Sequence, residues 1–262
     1  VEFRHRDTRQ GDLQQRFFPE DFFPGLTDKA DSFTVRFGGR HSLSQDSIFL
    51  GSFMFQDRSQ TVKVDPFPIP PLRFVDIENP QNAVGAEIQH LFRSRYFNLT
   101  SGMGYFDNDQ KSHTTRGFPF PPPFDVMAST TDLSTQHVNA YSYANVNLFG
   151  NLTLTAGASV DYLNGDRAVI SGGDVTQFNP KFGMIWSPFA GTSIRAAVSR
   201  VLKRTLITAQ TLEPTQVAGF NQFFDDINVT QAWRYGAGVD QKLTDRVFGG
   251  LEVSKRDLKI PL

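Results

Sequence analysis

Apolar and polar residues alternate at every second position in segment after segment of this chain, whereas helical spacing is scarce. The clearest run covers 151–162, where Leu, Ala, Val and Tyr side chains share one face and Asn, Thr, Ser and Asp share the other. The preceding run, 137–148, alternates in the same way, and only Phe149 and Gly150 separate the two. A period of two is typical of a β-strand with one apolar and one polar face. The sequence therefore predicts an all-β chain in which these runs form a tight hairpin.

The same reading along the whole chain predicts about ten strands. They cover 32–43, 47–58, 81–93, 95–108, 134–148, 151–163, 179–187, 192–203, 229–242 and 246–258. The junctions alternate between short ones, such as 149–150, and long ones at 59–80, 109–133, 164–178 and 204–228. A transmembrane barrel has short periplasmic turns and long outer loops, whereas a soluble sandwich has Greek-key crossings. We therefore predict an antiparallel transmembrane β-barrel in a bacterial outer membrane.

Composition supports this fold class and excludes others. The 262 residues contain no apolar run of the roughly eighteen residues that a membrane helix needs. A mean hydropathy of −0.32 suits a spanning strand, which shows lipid an apolar face and the lumen a polar one. The 26 Phe fit lipid-facing rings. A net charge of −1 argues against a nucleic-acid partner, and the lack of cysteine excludes disulfides and thiolate metal sites.

Both ends of the chain are expected to lie within a larger barrel, so that 1–262 is one barrel domain, incomplete at each end. Residues 1–31 are predicted to be a strand end followed by an outer loop, since a polar extended run precedes Phe17-Phe18-Pro19 and Phe22-Phe23-Pro24. The last residues, 259–262, stand where another outer loop should begin. Further strands are expected in the parent protein, and a wider barrel has room for a plug or a channel.

The last third of the chain resembles the barrels of TonB-dependent receptor-like outer-membrane proteins. The resemblance rests on Asn179-Pro180-Lys181-Phe182-Gly183 leading to Trp186, on Arg195-Ala196-Ala197, and on Ala232-Trp233-Arg234-Tyr235-Gly236 leading to Asp240-Gln241-Lys242. The segment 210–226 is also similar to outer-membrane proteins in which such a barrel follows tetratricopeptide repeats. The resemblance implies a lipid bilayer as surroundings, an unknown solute, and a periplasmic energy-coupling or repeat-domain partner. The plug and coupling box of an energised receptor are not within this stretch.

Charged residues on the polar faces are the candidates for a solute path or a plug-binding surface. These lumen-facing candidates are Glu87, Arg195, Arg200, Arg234, Asp240 and Glu252. The alternative is that facing charges on neighbouring strands pair with one another and stabilise the wall. The aromatic residues Tyr96, Tyr162, Trp186 and Trp233 lie near strand ends, where amphipathic rings suit the headgroup level of a membrane.

Catalytic and metal chemistry find no support in the sequence. The five His are scattered without a metal-ligand spacing, and nothing marks an activated serine, so no metal, no cofactor and no enzyme activity are expected. The first functional hypothesis is a barrel that forms a transport or export pathway for a solute or polymer, with a plug or periplasmic partner. The alternative is a non-transporting membrane anchor or surface-binding module that displays the Pro/Phe-rich outer loops 65–71 and 118–124.

Overall fold

A computed structural model describes residues 1–13, 22–122, 125–166, 174–204, 210–224 and 226–260, and these residues form strands, turns and loops without a helix. They contain no helix with the length and apolarity to cross a membrane. The strands are β1 (Glu2–Gly11), β2 (Leu26–Ser42), β3 (Ser47–Val64), β4 (Phe74–Arg93), β5 (Phe97–Gly117), β6 (Val126–Leu148), β7 (Leu152–Gly165), β8 (Asp174–Trp186), β9 (Thr192–Leu202), β10 (Gln216–Val217), β11 (Phe220–Asn221), β12 (Gln231–Lys242) and β13 (Phe248–Lys259).

One antiparallel sheet of 11 strands runs in chain order from β1 to β9 and continues through β12 to β13. The remaining strands, β10 and β11, form a separate two-stranded hairpin. The all-β antiparallel prediction is thus confirmed. Phe149 and Gly150 both take positive φ, 53° and 75°, as a tight turn between β6 and β7 requires.

Several strands extend well into segments that the sequence analysis had assigned to long loops. β3 continues to Val64, β5 continues to Gly117, and β6 begins at Val126, so the loop predicted at 109–133 shrinks to 118–125. The first residues of β6 are exposed on both faces. A strand wetted on both faces has no reason to alternate apolar with polar residues, which explains why the period-two pattern did not reveal these extensions.

The chain divides into two compact units, of which the first comprises Val1–Phe37, Met54–Val84 and Asp107–Thr135. In this unit the amide of Gln56 donates to Thr34 at 3.0 Å in a buried position. Its loops pack through aromatic rings: Phe23 meets Phe67 edge to face with centroids 6.4 Å apart. Phe118 stacks on Phe120 within the loop 118–125. These Pro/Phe-rich loops are therefore held in part by their own rings.

The second unit comprises Gly38–Phe53, Gly85–Phe106 and Gln136–Leu262, and its burial is inverted relative to a soluble protein. On β6 the polar side chains of His137 and Asn139 are buried, whereas Val138 is 44% exposed. The exposed face carries large apolar residues on β3 to β8 and on β12: Phe53, Ile88, Met103, Val138, Leu154, Val160, Phe178, Phe182, Trp186, Trp233, Tyr235 and Val239. An exposed apolar sheet face is stable in hydrocarbon and not in water.

Trp186 and Tyr162 lie at opposite ends of the β7–β8 pair, and the distance between these ends can be compared with the thickness of the apolar layer of a membrane. Trp186 pairs with Leu152 at one end, and Tyr162 pairs with Thr176 at the other. The path from Leu152 to Tyr162 is about 33 Å along the strand, or about 25 Å across the bilayer for a strand tilted by about 40°. The spacing equals the height of a typical apolar band, and the assignment of Tyr96, Tyr162, Trp186 and Trp233 to the interfaces stays a prediction.

A charge placed on the exposed apolar face should destabilise the membrane-inserted protein. Phe182 is 54% exposed and lies between the levels of Trp186 and Tyr162. We expect Phe182→Arg to lower the free energy of unfolding by about 2–4 kcal/mol, because a midplane Arg loses its hydration. Heat-modifiable gel migration and urea titration of protein refolded into lipid vesicles measure the effect.

The matched control is Phe189→Arg, since Phe189 is 75% exposed in the short turn 187–191. A turn in water tolerates the same change with little loss. Equal stability of the two variants would show that Phe182 does not face lipid.

Candidate functional site

In the connection between β9 and β12, residues 203–230, the described residues 210–224 fold back over the polar face of the second unit. We call this connection the inserted loop. Its centre is the β10–β11 hairpin, which turns at Ala218 and Gly219 with φ of 47° and 83°. Val217 of this hairpin packs in a buried cluster with Tyr141 and Tyr143 of β6. The inserted loop is therefore a packed element on the polar face of the sheet.

Glu213 is the main anchor of the inserted loop, and it is 3% exposed. Its carboxylate accepts hydrogen bonds from Tyr143 Oη at 2.7 Å and from Asn139 Nδ2 at 3.1 Å. It also pairs with Arg204 Nη2 at 2.9 Å and lies 3.8 Å from Lys181 Nζ. Breaking a buried ion pair by removing one partner typically destabilises a protein by about 3–5 kcal/mol, because the remaining charge is stranded. Glu213 thus ties the inserted loop to two strands, β6 and β8.

Glu87 of β4 provides a second anchor to the same loop. Its carboxylate accepts from the backbone N–H of Leu212 at 3.0 Å and from Thr211 Oγ1 at 2.5 Å. Farther along, Gln222 is fully buried and donates to Pro214 O at 2.9 Å and to Tyr143 Oη at 3.3 Å. Hydrogen bonds to charged groups are about twice as strong as neutral ones, so the Glu87 contact holds Thr211 and Leu212 of the inserted loop against β4.

A network of buried charge continues beneath the loop around Arg204 and Asp161. Asp161 accepts from His137 Nε2 at 2.9 Å and from Asn179 Nδ2 at 2.6 Å, and it lies 3.7 Å from Arg204 Nη1. Burial opposes the charge of Arg204, but the carboxylates of Glu213, Asp161 and Glu87 outweigh it and raise the pKa of the guanidinium. Arg204 is therefore a permanently charged group held by carboxylates on both the loop and the wall.

Glycines in the wall make room for the hairpin. A Cβ on Gly183 of β8 would lie 2.8 Å from Val217 Cγ1 and 2.9 Å from Ala218 Cβ. A Cβ on Gly236 of β12 would overlap the ring of Phe220. Real Cβ atoms essentially never approach that closely, so the hairpin occupies notches that only glycine provides.

The structure places most of the lumen-facing candidates on the polar face of the sheet, the face that the inserted loop covers. Arg195 Nε donates to Asp240 at 2.7 Å, and Arg195 Nη2 donates to Glu252 at 3.3 Å. Arg234 is buried and meets Asp226 at 3.4 Å. Ion pairs within the wall therefore occupy Arg195, Asp240 and Glu252: Arg195–Asp240 joins the neighbouring strands β9 and β12, and Arg195–Glu252 reaches over β12 to β13, in agreement with the wall-stabilising alternative.

Arg200 differs from the others in the face it occupies. It pairs with Trp233 across β9 and β12, whereas Ser199 pairs with the inward Arg234. Its guanidinium carbon lies 6.0 Å from the Trp233 ring centroid, and Nη2 donates to Gln231 at 3.2 Å. Since successive residues of a strand point to opposite faces, the register puts Arg200 on the face opposite Arg195, and a lumenal role for it lacks support.

The residues that hold the inserted loop were not predicted from the sequence: Asn139, Tyr143, Asp161, Lys181, Arg204 and Glu213. Most of these lie on polar strand faces, which was a usable signal, but nothing in the pattern indicated that a long loop would fold back onto them. Across the part of the chain that the structure describes, no group of three or more His, Cys, Asp or Glu is arranged to hold a metal ion.

Comparison with known families identifies the architecture. The model of the TonB dependent receptor-like β-barrel family matches residues 3–250. The chain belongs to this family. Its resemblance to TonB-dependent receptor-like barrels, inferred from the last third of the sequence, is thereby confirmed over nearly the whole chain, and its location is the bacterial outer membrane. A search of curated protein sequences found no match.

Solved structures share this barrel fold at low sequence identity. The ferric yersiniabactin uptake receptor FyuA from Yersinia pestis is 14% identical with a TM-score of 0.64, over 89% of this chain and 36% of that one. The copper transporter OprC is 11% identical with a TM-score of 0.65, over 90% and 40%. The pyoverdine receptor FpvA from Pseudomonas aeruginosa PAO1 is 11% identical with a TM-score of 0.61, over 87% and 36%. The chain thus spans well under half of each structure, and the polar face under the inserted loop corresponds to the lumen of a TonB-dependent receptor-like barrel.

Proposed function

We propose that this TonB-dependent receptor-like barrel forms a transport pathway for a solute across the outer membrane and is not an enzyme. The observation that carries the proposal is the sidedness of the wall. Apolar residues such as Phe182 face outward, while Lys181, Asn179 and Asp161 line the inner face with buried polar groups. A wall of this kind keeps a polar interior open to water-soluble cargo. The names of the similar structures, an uptake receptor and a copper transporter among them, agree with this role.

The inserted loop narrows the proposed pathway. It adds a layer of protein to the lumenal face of β4, β6, β8, β9 and β12, anchored at Glu87 and Glu213. A loop that folds into the lumen reduces the cross-section available to a solute, and its side chains then contact whatever passes. The solute itself is not identified by these contacts. A plug and a periplasmic energy-coupling partner complete the proposal in the full-length protein.

Permeation of reconstituted protein tests the proposed function. Single-channel conductance and liposome swelling in a neutral sugar are recorded for the full-length protein and for a version from which any lumen-filling plug segment is removed. The proposal expects low or no flux in the first and clear flux in the second. Absence of flux in both forms, in correctly inserted protein, would contradict transport.

A non-transporting anchor that presents its outer loops is the second candidate, favoured by the exposure of Ile69 and Phe120 in the loops 65–73 and 118–125. Against this candidate, the rings of Phe67 and Phe118 already pack against Phe23 and Phe120, respectively. Replacing 118–122 with glycine and serine separates the two candidates. Loss of partner capture in a protein that shows no flux before or after the replacement favours the anchor, and unchanged capture with intact flux favours transport.

A further inference from the structure

A half-enclosed cavity of about 280 Å³ lies between the inserted loop and the wall formed by β12 and β13. Phe220 and Phe224 of the loop form one side, and Arg234 and Arg256 of the wall form the other. Ser199 and Ser254 add hydroxyl groups to the lining. A small pocket with apolar rings and a few convergent polar groups is the usual form of a ligand site.

The charge of this cavity is concentrated in two guanidinium groups. The guanidinium carbons of Arg234 and Arg256 lie 3.7 Å and 4.3 Å from the centroid of the Phe224 ring. Both groups donate through Nη2 to the carboxylate of Asp226 on the inserted loop. The lining also contains Lys255, which pairs with Asp257, and Glu252, which pairs with Arg195. The positive charge left for a ligand is therefore that of the two arginines beside a single carboxylate.

Several donors of these arginines have no acceptor. Arg234 Nε and Nη1 and Arg256 Nε are buried without a hydrogen-bond partner in the residues that the structure describes. The Arg234 side chain is only 8% exposed, so bulk water has little access to its unpaired N–H donors. Buried polar groups are normally paired, and an unpaired donor on a charged group is costly. The fork of a guanidinium fits the two oxygens of a carboxylate or phosphate.

We propose that this cavity binds an oxyanion, the carboxylate or phosphate group of a small solute, on Arg234 and Arg256. Asp226 accepts from the guanidinium donors that the oxyanion would use, so the ligand competes with it for them. The inference deepens the proposed function, on which it rests, by giving the solute an anionic group that is recognised in the lumen. Phe220 and Phe224 provide apolar contact for the remainder of the solute.

Equilibrium binding by the full-length protein in detergent tests the site, with citrate and inorganic phosphate as separate probes in isothermal titration calorimetry. We expect one or both probes to bind, and Arg234→Gln and Arg256→Gln to weaken binding tenfold or more. Asp226→Asn should strengthen binding several-fold, because it removes the competing carboxylate. A preference for citrate assigns a carboxylate ligand, and a preference for phosphate assigns a phosphate ligand. Arg246→Gln, in the exposed turn 243–247, is the control and should bind as the unmodified protein does.

Two results of this experiment would contradict the proposed oxyanion site. No binding of either probe to the unmodified protein, or unchanged affinity in Arg256→Gln, overturns the site. Arg256 is partly exposed, so its substitution tests the site even where Arg234→Gln does not fold. Neutral-sugar flux separates the two proposals: flux without oxyanion binding contradicts the site alone, and binding without flux contradicts transport alone.

Discussion

The Glu213→Gln variant should release the inserted loop from the wall. The substitution keeps the shape of the side chain but removes the charge that faces Arg204 at 2.9 Å and Lys181 at 3.8 Å. Because both cations are almost fully buried, we expect the free energy of unfolding to fall by about 3–5 kcal/mol. Arg204 is 2% exposed in the folded protein, and release of the loop would open it to trypsin. Limited proteolysis of membrane-inserted protein, with the new cut mapped by mass spectrometry, measures the release.

The control for this variant is Glu2→Gln, which makes the same change in an exposed ion pair. Glu2 lies 3.4 Å from Arg36, and its side chain is 55% exposed. Exposed ion pairs contribute about 0–1 kcal/mol, so this variant should have nearly the free energy of unfolding and the trypsin resistance of the unmodified protein. A Glu213→Gln protein that matched the control in both assays would show that the carboxylate does not hold the loop.

The Gly183→Leu variant should displace the β10–β11 hairpin from the space beside residue 183 while leaving the ion pairs of Glu213 in place. A side chain at this position collides with Val217 and Ala218, which cannot move without disturbing Tyr141 and Tyr143. Overpacking of this kind costs about 1–3 kcal/mol. In the plug-free barrel we expect a larger single-channel conductance, because the displaced hairpin no longer narrows the lumen at that level.

Gly39→Leu is the matched control, since a Cβ on Gly39 meets no atom within 4 Å. Its conductance and stability should stay close to those of the unmodified protein. If Gly183→Leu left the conductance unchanged while folding normally, the hairpin would not be part of the constriction.

The strand faces of the central wall were predictable from the sequence because lipid and lumen impose opposite demands on alternate residues. In the alternating run 137–148 the odd positions His137, Asn139, Tyr141 and Tyr143 share one face, and all four are buried. The outer extensions of β5 and β6 were not predictable, since water on both faces imposes no period. Arg195 and Arg200 were both assigned inward although an odd spacing puts them on opposite faces. Because 195 is an odd and 200 an even position of the same strand, the alternation along β9 already predicts opposite faces for the two arginines.

The anchoring of the inserted loop could not be read from the sequence. Glu87 meets the N–H of Leu212 across a separation of 125 residues, and Asn139 meets Glu213 across 74. Local pattern carries no information about such contacts, because they join residues that are far apart in the sequence. The wall glycines Gly183 and Gly236 gave a partial signal, since glycine inside a strand often marks the close approach of another segment.

A disulfide between the hairpin and the wall tests most directly whether the loop lies inside the barrel. Residues 1–262 contain no cysteine, so Gly183→Cys combined with Ala218→Cys introduces one defined pair within this part of the barrel. A Cβ built on Gly183 lies 2.9 Å from Ala218 Cβ, so the hairpin must move by roughly 0.6–1.6 Å to reach the roughly 3.5–4.5 Å between the Cβ atoms of a disulfide. A cysteine adds only a Cβ and a sulfur, and the bond itself holds the shifted hairpin beside the wall, whereas the branched side chain of leucine needs the space that Val217 occupies. In full-length protein oxidised in its membrane, we expect near-complete cross-linking of this pair and none for Gly39→Cys combined with Ala218→Cys. An uncross-linked Gly183–Ala218 pair in folded, inserted protein would contradict the account.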